Sequence, residues 1–222
     1  MAADLHADSS ASSPSPSAAV AAVSAADPAM AALIAQVGDF APRPADGNYF
    51  ATLARSIMFQ QLAGRAAAAI HARFVTAVGG SVTPEAVLAT SPEALRAAGL
   101  SGNKTAAVLD LAAKATDGTV PLADLDALDD EEIITRLSTV RGIGRWTAEM
   151  FLIFELRRMD VWPIDDFGVR NGWTLIHALP EIIKPRALQV EGEIFRPYRS
   201  VAAWYCWQAV AVFRKPMVLP DS

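Results

Sequence analysis

Two adjacent carboxylates, Asp165 and Asp166, follow the segment Trp162-Pro163-Ile164 and directly precede an apolar segment with helical spacing. A carboxylate in a dry pocket stabilises positive charge that develops on a reacting carbon, and it orients or deprotonates an attacking water. An aspartate in front of a helix is also a common N-cap, which accepts hydrogen bonds from the first unpaired N–H groups. From the residues alone capping is the more frequent role, and the catalytic role stays open.

Aromatic side chains are concentrated in the second half of the chain, which holds all five tryptophans. Taken singly, each tryptophan is more typical of a hydrophobic core than of a ligand site. Taken together, their electron-rich faces suit a flat or cationic ligand, through stacking and cation–π attraction of about 0.5 to 2 kcal/mol per contact. The composition therefore permits an aromatic binding pocket without requiring one.

The segment Gly142-Ile143-Gly144 lies between two segments with helical spacing, in a linker that is long enough only for a tight turn. Glycine permits a positive φ and lets the backbone come close to another molecule. The helix expected over residues 145–158 begins with unpaired N–H groups and the positive end of its dipole, which together attract a phosphate. This hairpin can grip a nucleic-acid backbone without reading its sequence. A plain connection between two packed helices explains the same residues.

Helical signals along the rest of the chain indicate the elements that position these residues. Apolar residues recur at three- and four-residue spacing, and two Ser/Thr-Pro-Glu segments are typical of helix starts. The expected helices are residues 49–58, 62–75, 104–114 and 129–137, with two short helices beginning at Pro84 and Pro92. No run of alternating β-branched residues predicts a strand, so the expected fold is all-α with two helical lobes.

Composition narrows the class of protein. Hydrophobic residues make up 52% of the 222 residues, and no apolar run approaches the roughly 20 residues of a membrane span. The formal net charge of -5 argues at first against a polyanionic partner, but residues 1–45 hold four acids against one arginine and leave only -2 for the rest. Cys206 is the only cysteine, which excludes an internal disulfide and a cysteine-ligated iron–sulfur cluster. A cytoplasmic location is the default expectation.

The first part of the chain differs from the rest in composition. Residues 1–27 are rich in Ala, Ser and Pro and offer almost nothing large to bury, which predicts a disordered tail. We expect its removal to leave activity intact. The remaining residues, 28–222, are expected to form one domain of two helical subdomains.

Residues 137–166 resemble the helix-hairpin-helix plus Gly/Pro/Asp signature of the base-excision DNA glycosylases, most closely the branch called DNA-3-methyladenine glycosylase II. The matching segments are GIGRWTAEMFLIF and DVWPIDDFGVR, and the resemblance extends to SIMFQQLAGRAAAAI, GLSGNKTAAVLDLA and PYRSVAAWYCW. It covers residues 46–214 in the family's order and implies an active-site cleft between two helical lobes. The proline that most family hairpins have before the first glycine is here Arg141, which adds charge and leaves the turn less rigid.

The resemblance assigns the carboxylates their roles. In the family, the aspartate twenty-four residues after the hairpin's first glycine is catalytic, and from Gly142 this position is Asp166, with Asp165 as a capping or supporting neighbour. Members that also cut the DNA strand carry a lysine nucleophile where this chain has Trp146. The resemblance therefore implies monofunctional, hydrolytic excision of alkylated purines such as 3-methyladenine and 7-methylguanine from duplex DNA, which leaves an abasic site.

Other site residues follow from the same resemblance. Trp146 and Trp207 fall on the family's base-pocket positions, and Met150 stands where a close relative has an aromatic residue. Leu62 is implied as the wedge that enters the duplex, with Gln61 assisting from the same loop. The implied DNA contacts of the hairpin are Arg141, Gly142, Gly144, Arg145 and Thr147. The backbone carbonyls of Ser138, Val140 and Gly142 are implied as ligands of a Na⁺ or K⁺ ion, and no other cofactor is expected.

Three alternatives stay open at this stage. The enzyme could act on another lesion, such as hypoxanthine, uracil or an oxidised base. The chain could also be a helix-hairpin-helix module that binds DNA without catalysis, or an all-α interaction scaffold. Base excision needs only a monomer, and damaged double-stranded DNA is the expected partner.

Overall fold

The computed structural model describes residues 15–213, and these residues form helices and connecting loops without a β-strand. The α-helices are α1 Pro16–Ala26, α2 Pro28–Val37, α3 Tyr49–Phe59, α4 Gly64–Ala77, α5 Pro84–Leu88, α6 Pro92–Ala97, α7 Gly102–Thr116, α8 Asp130–Ser138, α9 Arg145–Phe154, α10 Phe167–Ile176, α11 Pro185–Glu191 and α12 Arg199–Val212. Short 3₁₀ turns occupy Leu125–Ala127 and Gly192–Phe195. None of the helices in this part of the chain is long and apolar enough to cross a bilayer.

The two predicted short helices are confirmed, together with the capping chemistry that predicted them. The hydroxyl of Thr83 accepts a hydrogen bond from the Ala86 N–H at the start of α5, and Ser91 does the same for Ala94 at the start of α6. Proline occupies the first helical position in both helices, where its missing N–H costs nothing. The all-α prediction is confirmed as well.

The N-terminal segment does not match the prediction of a disordered tail as far as it is described. Residues 16–26 form α1, whose Ala19 and Val23 are fully buried, and α1 packs against α2 and α12. Ser15 caps this helix and Pro16 starts it, and alanine is the strongest helix former, so small apolar residues suffice for a buried helical face. The part of the prediction that concerns residues 1–14 lies outside the described residues.

The helices surround two hydrophobic cores, which define two lobes. The first lobe contains α3 to α9 and packs around residues such as Leu53, Leu111 and Leu152. The second lobe joins α1 and α2 to α10, α11 and α12, so the two ends of the described chain share one core. Trp207 packs against both cores.

The second lobe is built on very close contact between α10 and α12. A methyl group added at Gly172 would lie 1.9 Å from the backbone oxygen of Cys206, so only glycine allows the two helices to approach this far. Burial raises the pKa of the Cys206 thiol, which keeps it protonated within this contact. The middle of α10 and the middle of α12 are therefore fixed with respect to each other.

Helix α9 is shorter than the helix expected over residues 145–158. It ends at Phe154, after which the Leu156 and Arg158 N–H groups bond back to the carbonyls of Phe151 and Leu152, at 3.1 and 2.9 Å. Arg157 takes a left-handed conformation with φ of 58°. This sharp exit turns the chain from the first lobe towards the second.

The segment predicted to be expendable contributes to stability through Asp27. Its carboxylate caps α2 by accepting from the Ala29 and Met30 N–H groups at 2.7 and 2.9 Å, and it bonds Nε2 of His177 at 2.8 Å. Asp27→Ala should lower the free energy of unfolding by about 1 to 3 kcal/mol, measured by urea denaturation, because a cap and a buried hydrogen bond are lost. Asp39→Ala, at an exposed aspartate, is the control. Equal stability of the Asp27 variant and the wild type would contradict this role.

Candidate active site and DNA-contact surface

The hairpin between α8 and α9 is a tight turn. Gly142 has φ of 81°, which a residue with a side chain rarely adopts, and the buried Ile143 donates its N–H to the Val140 carbonyl at 3.0 Å. Gly144 is the N-cap of α9, and no side chain satisfies the first N–H groups of that helix. These unpaired groups keep the capacity to bind an anion.

Asp166 lies at the N-terminus of α10, and only 8% of the residue is exposed. Its Oδ1 accepts the Val169 N–H at 2.7 Å, so the capping role considered for this aspartate is real. Capping orients the carboxylate and fixes it to a rigid helix. Asp165, its neighbour, is exposed and lines a different cavity.

Two indole groups complete the environment of this carboxylate. Trp146, from α9 of the first lobe, donates its Nε1–H to Oδ2 at 2.6 Å. Trp207, from α12 of the second lobe, donates its Nε1–H to Oδ1 at 2.9 Å. The carboxylate thus accepts hydrogen bonds from three N–H donors, which hold it in place where the lobes meet.

Gly168 makes this arrangement possible, although the sequence reasoning did not single it out. A methyl group at this position would lie 2.7 Å from Cδ1 of Trp207 and 3.0 Å from Oδ1 of Asp166, both too close. A glycine inside a helix often marks such a close approach, so the segment DFGVR contained a signal for it.

A cavity of about 510 Å³, here called the aromatic cavity, lies beside the Trp146 indole. Its wall includes Phe59, Trp146, Thr147, Met150 and Phe154. Trp146 is 48% exposed although its Nε1–H bonds the buried carboxylate of Asp166, so much of the indole surface remains accessible. Trp207 is not in this wall; it lies behind Phe154, with ring centroids 5.3 Å apart.

The predicted pocket residues are therefore only partly brought together. Trp146 and Met150 share the wall, whereas Trp207 supports it from behind. Thr147, expected to contact DNA, is only 7% exposed and lines the aromatic cavity, because the helical period turns it inward with Met150.

Two arginines, Arg43 and Arg55, also line the aromatic cavity, and no local sequence pattern indicated them. The guanidinium carbon of Arg43 lies 5.2 Å from the Phe154 ring centroid, and that of Arg55 lies 4.3 Å from the Phe59 centroid. Two ring faces thus already carry cations of the protein itself. Among the described residues of this wall there is no carboxylate.

The loop between α3 and α4, residues 60–63, is called here the wedge loop. Gln61 has φ of 56°, and Leu62 is 39% exposed at the tip. The ammonium group of Lys104 donates to the carbonyls of Met58 and Gln60 at 2.7 and 2.8 Å, which sequence reasoning missed. The side-chain amide of Gln60 donates to the Gly142 carbonyl at 2.9 Å, so the wedge loop and the hairpin touch.

A second cavity, of about 380 Å³, is lined by residues of the wedge loop, the start of α7 and the hairpin, and is called here the wedge-side cavity. Gln61, Asn103, Lys104 and Arg141 contribute to its wall, which contains no carboxylate among the described residues. Arg141 is exposed, and its guanidinium donates a hydrogen bond to the Asn103 amide oxygen at 3.3 Å. This surface has the polarity that a phosphate backbone requires.

Arg145 does not line the wedge-side cavity, although it was expected to contact DNA at the hairpin. Its guanidinium pairs with Glu131 at 2.5 Å and lies 3.6 Å from Glu149, in a third cavity of about 660 Å³. The carboxylates that line this acidic cavity are Asp130, Glu131, Glu149, Asp160 and Asp165. The attraction of these acids turns the arginine away from the hairpin, and its predicted phosphate contact requires breaking the pair with Glu131.

The hairpin carbonyls implied as cation ligands are partly engaged by the protein. The Val140 carbonyl accepts from the Ile143 N–H, and the Gly142 carbonyl accepts from the Gln60 amide. Each carbonyl oxygen has two lone pairs, so both retain one for a cation.

Comparison with known proteins defines the class to which this architecture belongs. Residues 54–197 match the family model described as the HhH-GPD superfamily base excision DNA repair protein. The chain belongs to this helix-hairpin-helix superfamily, and the resemblance drawn from its motifs is confirmed.

Several relatives of this chain are named for 3-methyladenine. DNA-3-methyladenine glycosylase 1 of Schizosaccharomyces pombe is 37% identical over 192 residues, which are 83% of this chain and 84% of that protein. The structure of S. pombe 3-methyladenine DNA glycosylase Mag1 in complex with abasic DNA matches with a TM-score of 0.78 and 36% identity, over 87% of this chain and 97% of that one. DNA-3-methyladenine glycosidase of Bacillus halodurans matches with a TM-score of 0.82 and 33% identity, over 91% of each chain.

Glu149 generates a pH dependence of stability. Burial raises its pKa from 4.5 to about 7, despite the attraction of Arg145. The carboxyl group of Glu149 thus binds its proton more tightly in the folded protein than in the unfolded chain. This difference stabilises the fold at low pH, and the stabilisation is lost as the pH rises from about 4.5 to 7. The free energy of unfolding of Glu149→Gln, measured by urea denaturation, should rise relative to that of the wild type by about 2 to 3 kcal/mol between pH 4.5 and pH 8.

The control for this experiment is Glu85→Gln, at an exposed glutamate of α5. Its difference from the wild type should stay constant over the same pH range. A constant difference for Glu149→Gln as well would show that Glu149 ionises normally in the folded protein.

Proposed function

We propose that this chain is a monofunctional DNA glycosylase that removes alkylated purines of the 3-methyladenine and 7-methylguanine type from double-stranded DNA, in base excision repair. The observation that carries the proposal is the Asp166 carboxylate, held by three N–H donors, one of which belongs to Trp146 in the wall of the aromatic cavity. The names of its relatives, and the DNA in the complex of one of them, support the same activity.

The chemistry requires a fixed carboxylate because cleavage of an N-glycosidic bond builds positive charge on the sugar. Asp166 would stabilise this oxocarbenium-like charge from a position that costs no reorganisation. Its Oδ1 already accepts two hydrogen bonds, whereas Oδ2 accepts one and keeps capacity for a water proton. Because an alkylated purine carries positive charge before it leaves, one carboxylate suffices without a strong general acid.

Strand cleavage is not part of the proposal. It requires an amine that forms a Schiff base with the sugar, and the position of that lysine in other family members is occupied by Trp146. The indole donates its N–H to Asp166 instead. The product is therefore an intact strand with an abasic site.

The DNA is proposed to lie across the hairpin, the wedge-side cavity and the aromatic cavity. Leu62 fills the gap in the base stack, Arg141 contacts phosphate, and the extruded base stacks on Trp146. A monovalent cation on the carbonyls of Ser138, Val140 and Gly142 would orient the hairpin. The protein acts as a monomer, in the cytoplasm where it meets the chromosome.

A second candidate function is excision of a neutral base such as hypoxanthine. Arg43 and Arg55 favour it, because two guanidinium groups in the cavity wall repel a cationic base and can donate hydrogen bonds to the O6 and N7 acceptors of a purine. Measuring the release of hypoxanthine and of methylated purines side by side distinguishes the candidates.

The wild type should release free methylated purines from methylated duplex DNA, and Asp166→Asn should lose about 2 to 4 kcal/mol of transition-state stabilisation. Asparagine keeps the cap of α10 and the side-chain shape, so DNA binding should be retained. Chromatography of the released bases and binding to an abasic duplex measure the two effects.

Asp165→Asn is the matched control, since this neighbouring carboxylate is exposed and makes none of the contacts of Asp166. An equal loss in both variants would move the catalytic role away from Asp166. A covalent enzyme–DNA adduct trapped with borohydride would overturn the monofunctional assignment.

Gly168→Ala should slow base release by about tenfold or more, because the added methyl group displaces the Trp207 ring from Asp166. It should also lower the thermal stability of the protein, because Trp207 packs against both cores. Trp207→Phe removes the same hydrogen bond without the clash and should slow release in the same direction. Single-turnover rates and thermal unfolding measure both variants, and wild-type rates in both would contradict the role of Trp207.

A further inference from the structure

The wedge loop is tied to the α7 helix by a single lysine. Lys104 lies in the first turn of α7, and its ammonium group reaches the last carbonyls of α3, at 2.7 Å from Met58 O and 2.8 Å from Gln60 O. These carbonyls end a helix, where the backbone has unpaired acceptors and partial negative charge. A cation with two good hydrogen bonds fixes the point at which the chain leaves α3.

A second tie joins the same point to the hairpin. The Gln60 side chain donates to the Gly142 carbonyl at 2.9 Å, so Gln60 is bound through its backbone to α7 and through its amide to the hairpin. The wedge loop, the start of α7 and the hairpin therefore form one connected unit. Both ties lie in the wall of the wedge-side cavity.

The residues that follow need such support. Gln61 has φ of 56°, in the left-handed region that is unfavourable for a residue with a side chain. Leu62 is exposed, so no core contact holds it in place, and α4 begins without a side-chain cap at Ala63. The conformation of the tip is set by its first residue, Gln60, and hence by Lys104.

We propose that Lys104 is a positioning residue for base extrusion: it holds the wedge loop so that Leu62 enters the duplex at a fixed place. The inference rests on the proposed function. Lys104 contacts carbonyls of the protein rather than the reacting atoms, so its effect passes through Leu62. A direct contact of its ammonium group with a DNA phosphate is the rival explanation, and it predicts a different pattern of losses.

The test uses the full chain and a duplex that contains one 7-methylguanine next to 2-aminopurine, whose fluorescence rises when its neighbour leaves the stack. Lys104→Met keeps the apolar stem and removes the donors. It should reduce the fluorescence rise and slow single-turnover release from the duplex by about tenfold. Release from the same strand without its complement should be unchanged, because no paired stack has to be opened. Lys104→Arg should restore most of the duplex rate, and Lys184→Met, at an exposed lysine, should match the wild type.

A double-mutant cycle decides whether the effect passes through Leu62. In a Leu62→Ala background, Lys104→Met should change the duplex rate by less than about twofold, because the two residues act in series. Gln60→Leu removes the hydrogen bond between the wedge loop and the hairpin, and its effect on the duplex rate should depend on Leu62 in the same way. This variant replaces Lys104→Met in the experiment if Lys104→Met does not fold.

The proposal would be overturned if Lys104→Met slowed base release equally on single-stranded and double-stranded DNA. It would also be overturned if Lys104→Met slowed release from the duplex as strongly in the Leu62→Ala background as in the wild type. A weaker salt dependence of DNA binding by Lys104→Met would establish the phosphate contact instead. Absence of base release by the wild type would overturn the proposed function, and this inference with it.

Discussion

The three hydrogen bonds to the Asp166 carboxylate are the interaction on which the rest of the structure depends. They come from α9, α10 and α12, so one side chain fixes the relative placement of helices from both lobes. Capping and catalysis are often treated as competing explanations for an aspartate before a helix. For Asp166 the two roles are compatible, because a carboxylate that caps a rigid helix is already oriented and would not have to be reorganised in a transition state.

Charge is distributed unevenly over the molecule, which reconciles a net charge of -5 with a polyanionic partner. The walls of the aromatic and wedge-side cavities carry arginine and lysine, and in the described residues they carry no carboxylate. The acidic cavity carries five carboxylates and three arginines, one of which is Arg145. A nucleic acid would therefore be attracted to the aromatic and wedge-side cavities rather than to the acidic cavity, so the distribution of charge also favours one orientation.

Local patterns predicted the local structure well, whereas contacts between distant segments left no local pattern. The two Ser/Thr-Pro-Glu segments predicted the starts of α5 and α6, and the tight turn expected at the hairpin predicted the positive φ of Gly142. Asp166 was reached only by counting along a family motif, since its residue type alone favoured capping.

The failures have a common physical cause. Arg43 reaches the Phe154 ring from a distant loop, and Lys104 reaches carbonyls at the end of α3, so neither role follows from its neighbours in sequence. Helix α1 was mistaken for disorder because its buried face consists of small residues, which a hydrophobicity pattern scarcely registers. Such a face is stabilised by close approach to a partner rather than by the size of its side chains.

The discontinuous second lobe also orders the events of synthesis. Helices α1 and α2 leave the ribosome early, yet α12, against which they pack, is made last among the described helices. The first lobe, continuous from α3 to α9, can fold on contacts within one stretch of chain while the N-terminal pair waits. Because Trp146 belongs to the early lobe and Trp207 to the late one, the nascent chain cannot assemble its carboxylate site before its last helix has emerged.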